Sequence, residues 1–109
     1  MSPRVAPEVG HIVTVFRSRL RPDAHGYADH AARISALART MPGYVEHKAF
    51  TAEDGERVTL VTFADRPSHD AWARHPEHRD AQQAGVRDYY VEYSISVGTV
   101  DRASSWSQA

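Results

Sequence analysis

The residues with the clearest chemical potential are seven histidines, five tyrosines and two tryptophans in a chain that has no cysteine. His75 and His78 form an HxxH pair, a spacing that puts two imidazoles on one face of a continuous helix. Imidazole suits Zn, Cu, Ni or Fe. Pro76 lies between the two rings, and Glu77 and Asp80 would point elsewhere from a helix over 76–84, so no third ligand presents itself. The expectation is no metal; if a divalent transition metal is held, His75 and His78 are its ligands. The plainer role is that His75 caps a helix and His78 meets a polar neighbour. Trp72 brings a large apolar surface and one N–H donor, which suits either the core or a pocket wall. Tyr27 and His30, three apart, would share an inner helix face, and a histidine among apolar neighbours needs a partner or a ligand. Tyr93 reads as packing. Tyr90 falls on a face with Glu92, Ser94 and Ser96 that is too polar for a plain core. His11, His25, His47 and His69 read as surface or strand-edge residues. There is no GxSxG, no glycine-rich phosphate loop and no buried acid pair, so hydrolase and nucleotide chemistry find no support.

These side chains must be placed by elements that the hydropathy pattern reveals. HIVTVFRSRL (11–20) is rich in β-branched residues and reads as a strand, with Thr14, Phe16 and Ser18 on one face and Val13 and Val15 on the other. Asp23 is a candidate N-cap for an amphipathic helix near 24–40, in which Tyr27, His30, Ile34, Leu37 and Met41 recur at helical spacing. Met41-Pro42-Gly43 stops it. Tyr44–Thr51 and Arg57–Phe63 read as two strands joined by a hairpin at Asp54-Gly55. Asp65 caps a short helix carrying Trp72, which His75-Pro76 interrupts. Pro76 and Glu77 suit the start of another helix that Gly85 should stop. Tyr89–Val100 is the last strand, with Val91, Tyr93, Ile95 and Val97 on one face.

The order β-α-β-β-α(α)-β is that of a ferredoxin-like α+β fold: one antiparallel four-stranded sheet with helices on one face. Residues 1–10 form a flexible lead-in, 11–100 the domain, and 101–109 a tail. The bare face carrying Val13 and Val15 needs a second cover, which a twofold copy supplies, so a homodimer is expected. At 109 residues the chain can hide roughly two-thirds of its unfolded surface in one domain. Thirteen basic against fourteen acidic side chains leave a net charge of −1, which offers no bulk attraction for nucleic acid or an anionic membrane. No run approaches the apolar length of a membrane span, and the start has no apolar leader, so a cytoplasmic location is expected.

Met41-Pro42-Gly43-Tyr44, Glu53-Asp54-Gly55, the run from Ala71 to His78 (AWARHPEH), Ala81-Gln82, and Tyr89-Tyr90-Val91-Glu92-Tyr93 together resemble the antibiotic biosynthesis monooxygenase family across roughly 11–100. The resemblance implies a dimeric α+β barrel. It also implies a scatter of activities: oxidation of polycyclic aromatics by molecular oxygen without a cofactor, haem degradation, and work on small quinols. Haem-degrading members use an asparagine of the first strand, a tryptophan of the second helical region and a histidine iron ligand. Trp72 matches the tryptophan, but the ligand's place falls near Gln82 and the chain has no asparagine, so haem is disfavoured.

The resulting expectation is a cofactor-independent monooxygenase that oxidises a small phenolic, quinol or anthrone-like substrate with molecular oxygen. Trp72, His78, His30 and Tyr90 are its candidate catalytic groups, with His78 or His30 as base. Thr14, Phe16, Ser18, Tyr27 and Phe63 are the candidate substrate-binding residues of an aromatic-lined pocket between helices and sheet. The alternatives are a metal- or haem-binding protein on the same scaffold, and a non-catalytic dimer that binds an aromatic ligand or assists secondary metabolism.

Overall fold

Alternating β-branched residues give β1 (Ile12–Leu20), whose inward set starts from the fully covered Ile12. The computed structural model describes residues 5–108; the first four residues of the expected lead-in and the last of the expected tail lie outside them. After β1 come α1 (Tyr27–Thr40), β2 (Tyr44–Thr51), β3 (Arg57–Phe63), α2 (Arg66–Arg74) and α3 (Pro76–Ala84). A single π turn over Gly85–Tyr89 then leads into β4 (Tyr90–Thr99). The strands form one antiparallel sheet in the order β2-β3-β1-β4, the ferredoxin-like α+β arrangement. No helix among the described residues is long and apolar enough to cross a membrane.

The helix boundaries follow local chemistry. Asp65 accepts the Ser68 N–H at 2.9 Å and starts α2 as expected. At the α2–α3 break His75 leaves helical angles ahead of Pro76, and its Nδ1 accepts the Glu77 N–H at 3.1 Å, capping α3. Two boundaries depart from the sequence reading. Asp23 does not cap α1: residues 21–26 form tight turns, and Gly26 at φ 82° holds a left-handed conformation that an α-helix cannot contain, so the helix begins at Tyr27. Gly85 does not stop α3 either; at φ −60° and ψ −47° it continues into the π turn. Its small size serves another purpose, because a Cβ there would strike the ring of Tyr90.

The core is small and lies on one half of the sheet. Phe63 and Ala38 are completely buried, with Val61 and Trp72 beside them and Ile34, Leu37, Met41 and Tyr44 closing the edge. α1 lies over β2 and α2 over β3, while β4 is met mainly by the π turn. The helices therefore cover the β2–β3 half, leaving Tyr93, Ile95 and Val97 of β4 between 44% and 49% exposed on the helix side.

Phe63 is the largest fully buried side chain, so Phe63→Ala should lower unfolding stability by about 3–5 kcal/mol through lost burial and a residual cavity. Urea denaturation of the two proteins measures it, and a loss below about 1 kcal/mol would contradict this location of the core.

Candidate active site

A cavity of about 550 Å³ opens where the helices stop short of β4. This lies within the size range of small-molecule sites. Its floor is the inward face of the sheet. Thr14 and Phe16 come from β1, Arg57, Thr59 and Val61 from β3, and Tyr93, Ile95 and Val97 from β4. Cross-strand pairing fixes this set: Thr14 stands opposite Val97 and Val61, and Phe16 opposite Ile95 and Thr59. Tyr27 and His30 of α1, His69 and Trp72 of α2, and His78 of α3 supply the roof.

Tyr90 joins this wall by way of a β-bulge. The pairs Leu20–Tyr90 and Arg19–Glu92 leave Val91 as an extra residue, so Tyr90 and Tyr93 share a face although three apart. The alternation expected from the sequence placed Tyr90 with Glu92, Ser94 and Ser96; the bulge overturns that. Arg21 braces the approach, its guanidinium donating to the carbonyls of Val86, Arg87 and Tyr90. Tyr90 then meets Phe16 edge-on at 5.4 Å and Tyr27 at 5.9 Å, and Phe16 stacks on Tyr93 at 5.6 Å. Burial pushes the Tyr90 phenol well above its ordinary range, the Tyr27 hydroxyl adding to the effect, so it stays neutral and can donate a hydrogen bond.

The cavity wall holds four histidines in different surroundings. His78 lies against the Trp72 indole with ring centroids 4.3 Å apart, and its buried Nδ1 has no hydrogen-bond partner. Burial, which outweighs the pull of the Ala73 carbonyl, draws its pKa down to about 4, with neighbouring His47, His75 and His69 acting in the same direction. His30 sits 4.9 Å from the Tyr89 ring, and burial together with Arg33 lowers its pKa. His47 is lowered likewise by burial and by Arg39. All three rings are therefore neutral near pH 7 and weakly basic.

His69 differs. Its Nδ1 lies 3.1 Å from Asp70 Oδ1, and its Nε2 lies 3.3 Å from Thr14 Oγ1. An ionised carboxylate only accepts, so Nδ1 carries the proton and Nε2 accepts from the Thr14 hydroxyl. The result is a carboxylate–imidazole–hydroxyl chain ending in the cavity wall. Asp70 is partly exposed, and His69 is buried at 9% exposure.

Several sequence expectations are met in position and others are not. Trp72, His78, His30, Tyr90, Thr14, Phe16 and Tyr27 converge on the cavity. Phe63 lies beneath it in the core, and Ser18, at 2% exposure, is sealed within the sheet and reaches no part of the wall. His75 faces its own helix start. Among the described residues no group of three or more histidine, cysteine or acidic side chains is gathered as metal ligands would be.

His69 and His47, read as surface residues, line the cavity, and His11 is buried at 8% exposure. Arg57, which no sequence motif marks, lines the cavity too. The signals were present: His69 precedes Trp72 by three residues and so shares its helix face, and Arg57 has the parity of Val61 and Phe63 on β3.

The state of His78 has a measurable consequence. Its folded pKa lies below the unfolded value near 6.5, so the unfolded chain binds more protons between about pH 6.5 and pH 4. Stability should fall as pH drops through that window, by on the order of 2–3 kcal/mol, with His30 and His47 adding to the trend. Thermal unfolding from pH 7 to pH 4 should show the loss, and His78→Gln should flatten it. An equal slope in both proteins would mean that His78 is not buried neutral.

The same architecture recurs in known proteins. The sequence is 28% identical over 96 residues to the uncharacterized protein YqjZ of Bacillus subtilis, covering 88% of this chain and 84% of that one. Rv0793 of Mycobacterium tuberculosis superposes with a TM-score of 0.75 at 18% identity, covering 87% of this chain and all of that one. SnoaB of Streptomyces nogalater, described as a cofactor-independent oxygenase, superposes with a TM-score of 0.73 at 17% identity, over 86% of this chain and 96% of that one. At such identities these likenesses establish the fold. The sequence pattern of antibiotic biosynthesis monooxygenases matches residues 11–84, from the first residue before β1 to the last of α3, and so takes in most of the cavity wall. With more than half of its length matched, the chain belongs to the antibiotic biosynthesis monooxygenase family.

Proposed function

We propose that the chain is a monooxygenase that uses no bound redox cofactor and oxidises a flat phenolic or anthrone-like substrate with molecular oxygen. The observation that carries this reading is the Thr14–His69–Asp70 chain opening into an aromatic-walled cavity. SnoaB, a structural neighbour described as a cofactor-independent oxygenase, lends it support.

The reaction for an anthrone-type methylene is CH₂ + O₂ → C=O + H₂O. Deprotonation makes the substrate an electron donor. The carbanion passes one electron to oxygen, the resulting radical pair joins through a C–O bond, and loss of water from the peroxide leaves the carbonyl. The substrate supplies the electrons, so the protein's task is to take the proton and hold the anion.

His69 is the base in this reading, in place of His78 or His30. The substrate proton passes to Thr14 Oγ1 as the hydroxyl proton moves to Nε2, and Asp70 balances the charge that appears on the ring. His78, drawn down to about 4 by burial, holds a proton too weakly for that work, and burial lowers His30 in the same direction. The neutral Tyr90 phenol and the Trp72 N–H are donors suited to the developing oxyanion. Phe16, Tyr27 and Tyr93 offer faces for a planar ring.

Oxygen uptake with anthrone, above the spontaneous rate, tests the reading. The wild-type chain should consume one O₂ per quinone formed. His69→Gln should lower the rate about 10²-fold and Thr14→Val by a comparable amount. Unchanged uptake in His69→Gln would remove His69 from the mechanism, and no uptake above background by the unaltered chain would remove the function.

A second copy of the chain is proposed to cover the sheet face opposite the helices. Val13 and Val15 there border a shallow depression of about 330 Å³ with Ser96, Gly98 and Val100. Phe50 on the same side is 47% exposed. Sedimentation equilibrium at micromolar protein should return twice the 12.2 kDa chain mass, and Val15→Glu should return the mass of one chain. The single-chain mass for the unaltered protein would overturn the dimer.

A further inference from the structure

The charges in the cavity wall are one-sided. Among the described residues Arg57 and Arg39 contribute to it alongside four histidines, with no aspartate or glutamate. The other arginines of the sheet are paired, Arg17 with Glu56 at 2.8 Å and Arg19 with Asp54 at 2.8 Å, and so is Arg87 with Asp88 at 2.8 Å just ahead of β4. Arg21 is occupied by three backbone carbonyls. Arg57 is the exception among arginines of the sheet. Its guanidinium carbon lies 5.2 Å from the centre of the Tyr27 ring, and its buried Nε has no hydrogen-bond acceptor among the described residues.

A buried donor on a cation is costly to leave unmatched, and matched donors of this kind make the stronger hydrogen bonds. The Tyr27 face stabilises the charge from one side without accepting a directed N–H bond. What the position lacks is an acceptor of planar, anionic form. The guanidinium fork fits a carboxylate, which takes two parallel N–H bonds. Tyr27 and Tyr90 place aromatic surface next to it, so acid and ring would belong to the same ligand.

We propose that Arg57 is the anchor of an anion subsite and that the natural ligand of the cavity is an aromatic carboxylate. Arg57 takes the acid group, and the ring system extends along Phe16 and Tyr90 toward Thr14. This deepens the oxygenase reading by naming its substrate class and rests on that reading for the word substrate; the binding claim itself requires no turnover. Arg39, farther out on the exposed surface, adds long-range attraction for an anion without directing it.

The test compares two probes of one shape, anthraquinone-2-carboxylate and anthraquinone-2-carboxamide, by calorimetric titration. The wild-type chain should bind the carboxylate at least about tenfold more tightly. Arg57→Gln should bring the two affinities together mainly by weakening the carboxylate, leaving the carboxamide nearly unchanged. Arg57→Lys keeps the charge but loses the planar fork, and should retain a reduced preference; it also guards against misfolding of the glutamine variant, which circular dichroism would reveal. Equal affinities in the wild-type chain, no binding of either probe, or an undiminished carboxylate preference in a folded Arg57→Gln would each overturn the proposal. A preference for the carboxylate with no oxygen uptake on any anthrone would instead sink the oxygenase reading and leave the subsite standing.

Discussion

The indole of Trp72 is the contact on which the rest of the arrangement depends. One side of it completes the core against Phe63 at 6.1 Å, and the other forms the cavity roof against His78 at 4.3 Å. Because α2 is only nine residues long and capped by Asp65, the position of this ring sets where the whole second helical region sits. Gly43 allows α2 to come down this closely: its φ of 77° and the Ser68 side chain packed against its Cα leave no room for a Cβ. The apolar burial that stabilises the fold thus ends where the cavity begins, and the two share a wall.

Half-covering of the sheet has two results. On the helix side it leaves the inward residues of β4 as a cavity floor. On the opposite side it leaves the valines of β1 with no cover from the chain's own helices. β4 is also an edge strand, and its bulge at Val91 breaks up an otherwise regular edge, while Arg19 of β1 pairs with Asp54 of the hairpin and with Glu92 of β4. Those ion pairs are largely exposed and add little stability.

The four histidines of the cavity show how one residue type acquires several chemistries. Imidazole next to indole and away from water loses its proton, as at His78; imidazole between a carboxylate and a hydroxyl has a direction along which a proton can move, as at His69. Among the described residues the wall has no carboxylate, so nothing there competes with an anionic ligand for Arg57.

The order of elements, the edges of β2 and β3, the Asp65 cap and the break at His75-Pro76 were legible in the sequence. Each is set by chemistry within a few residues: β-branched runs, a side chain bonding its own helix start, a proline excluding helical angles. So were the inward positions of Thr14, Phe16, Tyr27, His30 and Trp72, which follow from the periods of strand and helix. Tyr90 could not be placed that way, because one extra residue in a bulge reverses the parity of everything before it, and the bulge is created by pairing with β1 across 70 residues of chain. Asp23 and Gly85 do not take the roles that local rules give them, since the left-handed angles of Gly26 and the neighbouring ring of Tyr90 decide each. The pairing of His69 with Thr14 spans 55 positions and depends on where α2 comes to rest over β1. Side-chain type and spacing determine which face a residue takes; only the packed sheet and helices determine which faces meet, and the reactive geometry arises at that meeting.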